Sequence, residues 1–125
     1  MMRWNQAICF SSCATAKAIL RLNGEEIPEG KSMRKIIQTE EAPKPVGPYS
    51  QAIKVDKFLF VSGQVAIDPE KGKIVADGIK AQTVRVMENV KAILQAASYD
   101  LSDVVQSNVY LSSMALFSEF NAEYA

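Results

Sequence analysis

The chain has 125 residues and a mass of 13.7 kDa, the usual size of one domain, so we expect a single hydrophobic core. Hydrophobic residues make up 48% and charged residues 22%, which is the balance of a globular protein rather than a disordered one. Lysine plus arginine equals aspartate plus glutamate at 14 each, so the formal net charge is zero. Dedicated nucleic-acid binders usually carry a basic surplus, so this balance argues against a nucleic-acid partner.

Histidine is absent, and its absence excludes several kinds of active site. Ser-His-Asp and Cys-His nucleophiles, histidine acid–base catalysis and histidine-ligated metal sites all require it. The two cysteines, Cys9 and Cys13, are too few for a zinc site or a disulfide scaffold. No stretch approaches the roughly 18 consecutive apolar residues of a membrane span. We therefore expect neither a metal site nor a membrane partner.

Residues 1–32 differ in composition from the rest of the chain. They are rich in Ala and Ser and contain no acidic residue before Glu25. Three interpretations fit this pattern: an unstructured leader before a start at Met33, a mitochondrial presequence, or a secretory signal. The secretory signal fits least well, because its hydrophobic segment contains several polar residues. We favour the leader, followed by a domain at 33–125 in a cytoplasmic protein; the presequence would make the protein mitochondrial.

The first part of the domain predicts strands and an extended loop. Arg34–Thr39 is a short strand candidate. Glu40–Tyr49 contains three prolines and a glycine, so it cannot be helical. Two apolar runs flank the charged pair Asp56-Lys57 and predict a β-hairpin. These runs are Ala52–Val55 and Phe58–Val61.

The strongest periodic signal predicts a helix over Ile79–Ala97, after a turn at Asp68–Gly72. Asp77 is expected to cap this helix through its side-chain oxygen. Apolar residues recur at helical spacing and form one stripe, which we interpret as a core face rather than a cofactor motif. The charged residues expected to lie away from that stripe are Lys80, Arg85, Glu88 and Lys91.

The last third predicts one more strand and one more helix. Val104–Leu111 is β-branched and alternating, with Val105, Val109 and Leu111 on one face. A second helix is expected from Ala115, capped by Ser112 or Ser113, with Leu116, Phe117, Phe120 and Tyr124 as its apolar side. The apolar pattern is still running at Ala125, so we expect the chain to be truncated.

The predicted order from Met33 is β-β-β-α-β-α, which indicates an α+β protein. Two helices would cover one face of a mainly antiparallel or mixed sheet. The other face would carry apolar residues, and oligomerisation is one way to bury it.

Four segments in this order resemble the RidA/YjgF family of reactive-intermediate (enamine/imine) deaminases. They are Val46–Gln51 (VGPYSQ), Phe60–Gln64 (FVSGQ), Glu88–Ile93 (ENVKAI) and Phe120–Tyr124 (FNAEY). Each motif alone is weak evidence, but the ordered set at matching spacing is specific. The resemblance covers Arg34–Ala125.

The resemblance implies a chorismate-mutase-like α+β subunit and a homotrimer with ligand sites in clefts between neighbouring subunits. It also implies hydrolysis of 2-iminobutanoate, 2-iminopropanoate or their enamine tautomers to 2-oxoacids and ammonia, without a cofactor. Imine hydrolysis suits a chain without histidine, because the carbon of a C=N bond is already electrophilic. Positioning of water and substrate can then supply much of the catalysis.

The matched motifs imply four substrate-binding residues: Tyr49, Ser62, Gly63 and Asn121. Tyr49 would form an aromatic wall of the cleft, or merely anchor its loop. Ser62 would donate a hydrogen bond to the bound acid, or satisfy a turn, and Gly63 would allow close backbone approach or serve only the conformation of the chain. Asn121 matches the family's cleft asparagine, or is an exposed polar residue. Gln64 fits the motif and is equally interpretable as structural.

The family's carboxylate-binding arginine and its water-orienting glutamate have no counterpart in the sequence, since by the resemblance both lie in strands beyond Ala125. Arg85 and Glu123 occupy helices and cannot inherit these roles. The catalytic residues are therefore not identified, and loss of a bidentate clamp would remove several kcal/mol of substrate orientation. We expect this chain on its own to be poorly active.

Two other functions remain open at this point. Some family members are described as ribonucleases or translation inhibitors, although zero net charge and the lack of histidine weigh against RNA chemistry here. The third possibility is a non-catalytic trimer that binds small oxoacids or misfolded clients. 2-oxobutanoate would stabilise such a trimer without turnover.

Overall fold

The computed structural model describes residues 34–125 and, for the backbone alone, residues 18–19. Six strands, two helices and two short 3-10 turns occur in this part of the chain. The strands are β1 Ala18–Ile19, β2 Arg34–Ile37, β3 Ala52–Val55, β4 Phe58–Val61, β5 Ile67–Asp68 and β6 Lys73–Ile74. The helices are α1 Gly78–Ala96 and α2 Phe117–Tyr124, and the 3-10 turns are Leu101–Asp103 and Met114–Leu116.

The main sheet is antiparallel with strand order β1-β4-β3-β2, and β5 and β6 form a separate small hairpin. The predicted hairpin is confirmed, since β3 and β4 pair with Val55 opposite Phe58. Asp56 takes a positive φ of 50° in the connecting turn, a conformation that aspartate tolerates better than most residues.

The register of the sheet separates a covered face from an open one. Ile37, Ala52 and Leu59 lie on the covered face and are 3%, 0% and 1% exposed. They form one core cluster with Ile93 and Leu94 of α1. Side chains alternate along a strand, so the next row across the sheet points the other way. That row contains Ile36, Ile53 and Phe60, and Ile36 is 55% exposed.

Helix α1 lies within one residue of its predicted bounds, but its expected cap is absent. Asp77 occupies the N-cap position and makes no side-chain capping bond. Its φ and ψ of −79° and 29° are outside the extended conformation from which a capping side chain reaches back to the first turn. Arg85, expected to lie away from the core, is only partly exposed and pairs with Glu88 at 3.0 Å.

The predicted strand at 104–111 is wrong as a regular strand. This segment has no continuous ladder, and Tyr110 alone forms an isolated bridge. The alternation holds only at the end of the segment, where Val109 and Leu111 pack against the core cluster that contains Phe120 and Tyr110 is 54% exposed. Val105, expected on the same face as Val109 and Leu111, is instead 57% exposed. A strand needs a hydrogen-bonded neighbour as well as a pattern, and among residues 34–125 none flanks this segment with a continuous ladder.

The second helix begins close to its predicted position. The Ser113 side chain accepts a hydrogen bond from the Ala115 N–H at 3.2 Å and caps the 3-10 turn that leads into α2. Phe120 is the buried residue of α2 and stacks with Tyr124 at 5.0 Å between ring centroids. Phe120 joins α2 to the core of an α+β subunit, because it clusters with Ile79 and Val86 of α1.

The predicted leader at 1–32 lies outside the described residues except for the backbone of Ala18–Ile19. Those two residues form β1 and pair with Phe58 and Leu59 of β4. This pairing places the two residues at the edge of the main sheet. In the described part of the chain, neither helix combines the length and apolar character needed to cross a bilayer.

Asp68 organises the turn between β5 and β6. Its carboxylate accepts hydrogen bonds from the backbone N–H groups of Lys71 at 3.1 Å and Glu70 at 2.9 Å. These bonds, that of Lys71 above all, lower the pKa of Asp68 below its ordinary value because they favour the charged form.

The substitution Asp68→Asn tests this turn, since it keeps an oxygen acceptor and removes the charge. A folded-state pKa that is depressed stabilises the protein above the unfolded-state pKa, and the contribution is lost as pH falls through the folded-state pKa. We expect the variant to be less stable than the parent at neutral pH, with the difference lost as pH falls below the ordinary aspartate pKa and through the lower folded-state pKa of Asp68. Urea unfolding at a series of pH values measures this. Asp77→Asn is the control, and a difference that does not change with pH would contradict the expectation.

Candidate functional site

The proline-rich loop that carries Tyr49 is held by one buried amide. Gln51 is 2% exposed, and its Oε1 accepts a hydrogen bond from the Thr39 N–H at 2.6 Å. Its Nε2 donates to the carbonyls of Thr39, Ala42 and Pro43 at 3.0, 3.2 and 3.0 Å. A single side chain thus fixes both the start and the middle of a loop that has no ladder of its own. Gln51 lies in the VGPYSQ motif, but the sequence does not reveal where its amide points.

Tyr49 is half exposed, as a wall of an open cleft would be. Its backbone N–H donates to the Gly47 carbonyl at 2.8 Å, which closes a three-residue turn over residues 47–49. The phenol oxygen accepts a long hydrogen bond of 3.4 Å from the Val46 N–H. Within residues 34–125 the Tyr49 hydroxyl donates its hydrogen to no group, so this hydrogen is available to a ligand.

Ser62 lies directly after β4 and is hydrogen-bonded to Ser50 and Gln51, the two residues that follow Tyr49. Its N–H donates to the Gln51 carbonyl at 2.9 Å, and its hydroxyl donates to the Ser50 carbonyl at 2.5 Å. The single hydroxyl hydrogen is therefore already in use. The expected donation from Ser62 to a substrate acid would require this bond to break.

Gly63 and Gln64 follow Ser62 in the irregular segment after β4. Gly63 is partly buried and does not have a positive φ, so no left-handed backbone requires glycine there. Gln64 is 5% exposed, and its Nε2 donates to the Ser62 carbonyl at 3.2 Å. The structural interpretation of Gln64 thus accounts for its burial, because it secures the residue that precedes Gly63.

Two further amides, missed in the sequence, hold the chain that follows Gln64. Asn89 is fully buried and donates to the carbonyls of Val65 and Ile67 at 3.1 and 3.0 Å. Gln82 donates to the Val75 carbonyl at 2.8 Å. Both come from α1, so the helix positions the segment after the site. The sequence did contain a signal for both amides: Gln82 and Asn89 each lie three or four positions from apolar residues of the α1 stripe, and so share its buried face.

The fourth candidate, Asn121, lies apart from the other three. It is exposed on α2, and within residues 34–125 no hydrogen bond joins it to Tyr49 or Ser62. The structure therefore brings Tyr49, Ser62 and Gly63 together around the 50–51 segment and leaves Asn121 on a different element. The searched residues also contain no cluster of three or more acidic or cysteine side chains suited to a metal ion.

The part of the chain that carries the candidate residues also matches known proteins. The family model described as Endoribonuclease L-PSP matches residues 39–125. A RutC family protein of Pyrococcus horikoshii is 56% identical over 93 residues, which cover 74% of each chain. A mouse protein named 2-iminobutanoate/2-iminopropanoate deaminase is 40% identical over 92 residues, which cover 74% of this chain and 68% of the mouse protein.

Solved structures agree with the fold. RidA from a Psychrobacter species is 44% identical and superposes with a TM-score of 0.70 over 72% of each chain. TdcF of E. coli, solved with bound serine, is 37% identical with a TM-score of 0.70 and covers 72% of this chain and 70% of its own. These similarities confirm the RidA-type α+β fold that the sequence motifs imply.

The substitution Gln51→Glu tests the role of the buried amide. It replaces the Nε2 donor with an oxygen that faces three backbone carbonyls, so at neutral pH we expect a loss of about 3 kcal/mol or more in the free energy of unfolding. Protonation should relieve part of this loss in acid. Denaturant unfolding measures both effects. Gln95→Glu, on the exposed side of α1, is the matched control and should change stability by less than about 0.5 kcal/mol; equal losses would contradict the assigned role.

Proposed function

We propose that this chain, which belongs to the Endoribonuclease L-PSP family that includes RutC and RidA proteins, hydrolyses reactive 2-iminoacids or their enamine tautomers. The substrates are 2-iminobutanoate and 2-iminopropanoate, and the products are the matching 2-oxoacids and ammonia. The observation that carries the proposal is the pairing of the Tyr49 loop with Ser62 in a chain 40% identical to a mouse protein named for this reaction.

The polar groups at the site suit a reaction that needs positioning more than a strong base. A protonated imine carbon is already electrophilic, so water can attack it once substrate and water are oriented. The free hydroxyl hydrogen of Tyr49 is suited to a carboxylate. The E. coli relative solved with bound serine binds a small acid with a nitrogen on the adjacent carbon, which is the skeleton of the proposed substrates.

The proposal includes a homotrimer whose clefts complete the site between subunits. The open face of the sheet supports it, since Ile36, Ile53 and Phe60 form an apolar row and Ile36 is 55% exposed. An oligomer would cover this row. Half-exposed Tyr49 and exposed Asn121 would then face a cleft instead of bulk solvent.

The direct test couples the purified chain to a threonine dehydratase and follows the release of 2-oxobutanoate and ammonia from the imine. We expect acceleration above the uncatalysed rate, but below that of the mouse relative assayed beside it, because no described residue supplies a guanidinium clamp for the carboxylate. Absence of any acceleration would refute the proposed function, whether or not the chain binds 2-oxobutanoate.

The substitution Tyr49→Phe tests the contribution of the phenol to turnover. It removes a hydroxyl whose only described bond is the long contact to Val46, so stability should change little. We expect kcat/KM to fall about fivefold, the effect of losing one hydrogen bond of about 1 kcal/mol. Tyr110→Phe is the matched control, because Tyr110 is similarly exposed, at 54% against 50%. Equal activity in both variants would show that the Tyr49 hydroxyl does not contact the substrate.

RNA cleavage is the second candidate, favoured by the description of the matching family model as an endoribonuclease. Zero net charge and the absence of histidine oppose it. Incubation of highly purified protein with single-stranded RNA should therefore leave the RNA intact. Cleavage that copurifies with the protein and disappears in Tyr49→Phe would establish this activity instead.

A further inference from the structure

Ser62 has two hydrogen-bond donors, and both are engaged within the chain. The N–H donates to the Gln51 carbonyl and the hydroxyl donates to the Ser50 carbonyl, at 2.9 and 2.5 Å. A third bond, from Gln64 Nε2 to the Ser62 carbonyl, fixes the other side of the residue. A serine hydroxyl carries one hydrogen and two lone pairs. What remains at Ser62 is therefore an acceptor.

The oxygen of Ser62 is free to act in this way. No group in residues 34–125 donates to it, and the residue is neither fully buried nor fully exposed. Rotation of the hydroxyl toward a ligand would leave the Ser50 carbonyl without this partner, so donation would exchange one hydrogen bond for another. Acceptance adds a bond without breaking one.

We infer that Ser62 determines specificity as a hydrogen-bond acceptor: it selects ligands that carry an N–H on the carbon next to the carboxylate, and it disfavours the carbonyl oxygen of the oxoacid. The inference rests on the proposed function and names the atom that Ser62 recognises. A protonated imine presents two N–H groups, whereas a 2-oxoacid presents only lone pairs at the same position.

This polarity also bears on the reaction. In the balanced step, water adds to the protonated C=N bond, the C–N bond breaks, and oxoacid and ammonium leave. An acceptor at the nitrogen favours the protonated imine, since hydrogen bonding to a charged form stabilises that form. After hydrolysis the carbonyl oxygen faces the Ser62 lone pairs, which weakens product binding. The same serine oxygen thus favours substrate over product.

The test compares two stable acids with one carbon skeleton, 2-aminobutanoate and 2-oxobutanoate. Calorimetric titration of the parent chain and of Ser62→Ala gives four Kd values at one pH and salt concentration. We expect Ser62→Ala to raise the Kd of 2-aminobutanoate about tenfold, the loss of one hydrogen bond to a charged group. The Kd of 2-oxobutanoate should stay within about twofold of the parent value or decrease, since no hydrogen bond to it is lost.

Ser62→Thr and Ser102→Ala are the matched controls. Ser62→Thr keeps a hydroxyl and should keep the selectivity, and Ser102, exposed after α1, should have no effect. If Ser62→Ala does not fold, Ser62→Cys replaces it, because a thiol of similar shape is a poor acceptor. Equal weakening of both acids would overturn the inference, as would loss of oxoacid binding alone or a parent chain that binds neither acid.

Turnover separates this inference from the proposed function. A chain that selects the amine through Ser62 but does not accelerate imine hydrolysis retains the inference and loses the function. A chain that hydrolyses the imine equally well with and without the Ser62 oxygen, and binds both acids unchanged, retains the function and loses the inference.

Discussion

The buried amide of Gln51 is the interaction on which the rest of the site depends. Prolines in the 40–49 loop remove backbone N–H donors, and a loop without a ladder leaves carbonyls that still require partners. The Gln51 Nε2 group donates to two of those carbonyls, Ala42 and Pro43, and to the Thr39 carbonyl just before the loop, while its backbone carbonyl accepts from Ser62. The loop that carries Tyr49 and the strand end that carries Ser62 are consequently held by one residue, and neither can move far without exposing an unsatisfied buried group.

Buried side-chain amides also hold the chain that follows Gln64. Asn89 and Gln82 project from α1. Asn89 donates to the carbonyls of Val65, just before the β5–β6 hairpin, and of Ile67 in β5, and Gln82 donates to the Val75 carbonyl just after the hairpin. Within residues 34–125 their side-chain oxygens have no partner, so these amides serve chiefly as donors. A rigid helix therefore supports the segment after Gln64, and the short stretch from Ser62 to Gln64 is clamped from both directions. Rigid support of this kind is what a positioning site requires.

The sequence was sufficient for elements whose local pattern and tertiary environment agree. The α1 stripe and the β3–β4 hairpin satisfy both conditions, and both were predicted within a residue or two. The 104–111 segment has the alternation but lacks a continuous ladder, because pairing depends on a neighbour that no local pattern encodes. Asp77 has the right side chain at the right position and the wrong backbone angles for capping. Family motifs singled out Tyr49 and Ser62 as candidates, yet hydrogen-bond polarity at Ser62 depends on the orientation of the Ser50 carbonyl, which is a property of the folded chain.

Under the acceptor role that we infer for Ser62, that dependence would let a site without histidine discriminate between chemically similar ligands. A hydroxyl in solution offers a donor and an acceptor equally, and so distinguishes little. Once a backbone carbonyl takes its hydrogen, as at Ser50, the same hydroxyl presents one polarity only. On this inference, the backbone hydrogen bonds that hold the strand end would also set the chemical preference of the site, without a titratable base. Stability and the inferred selectivity would then follow from the same two bonds made by Ser62.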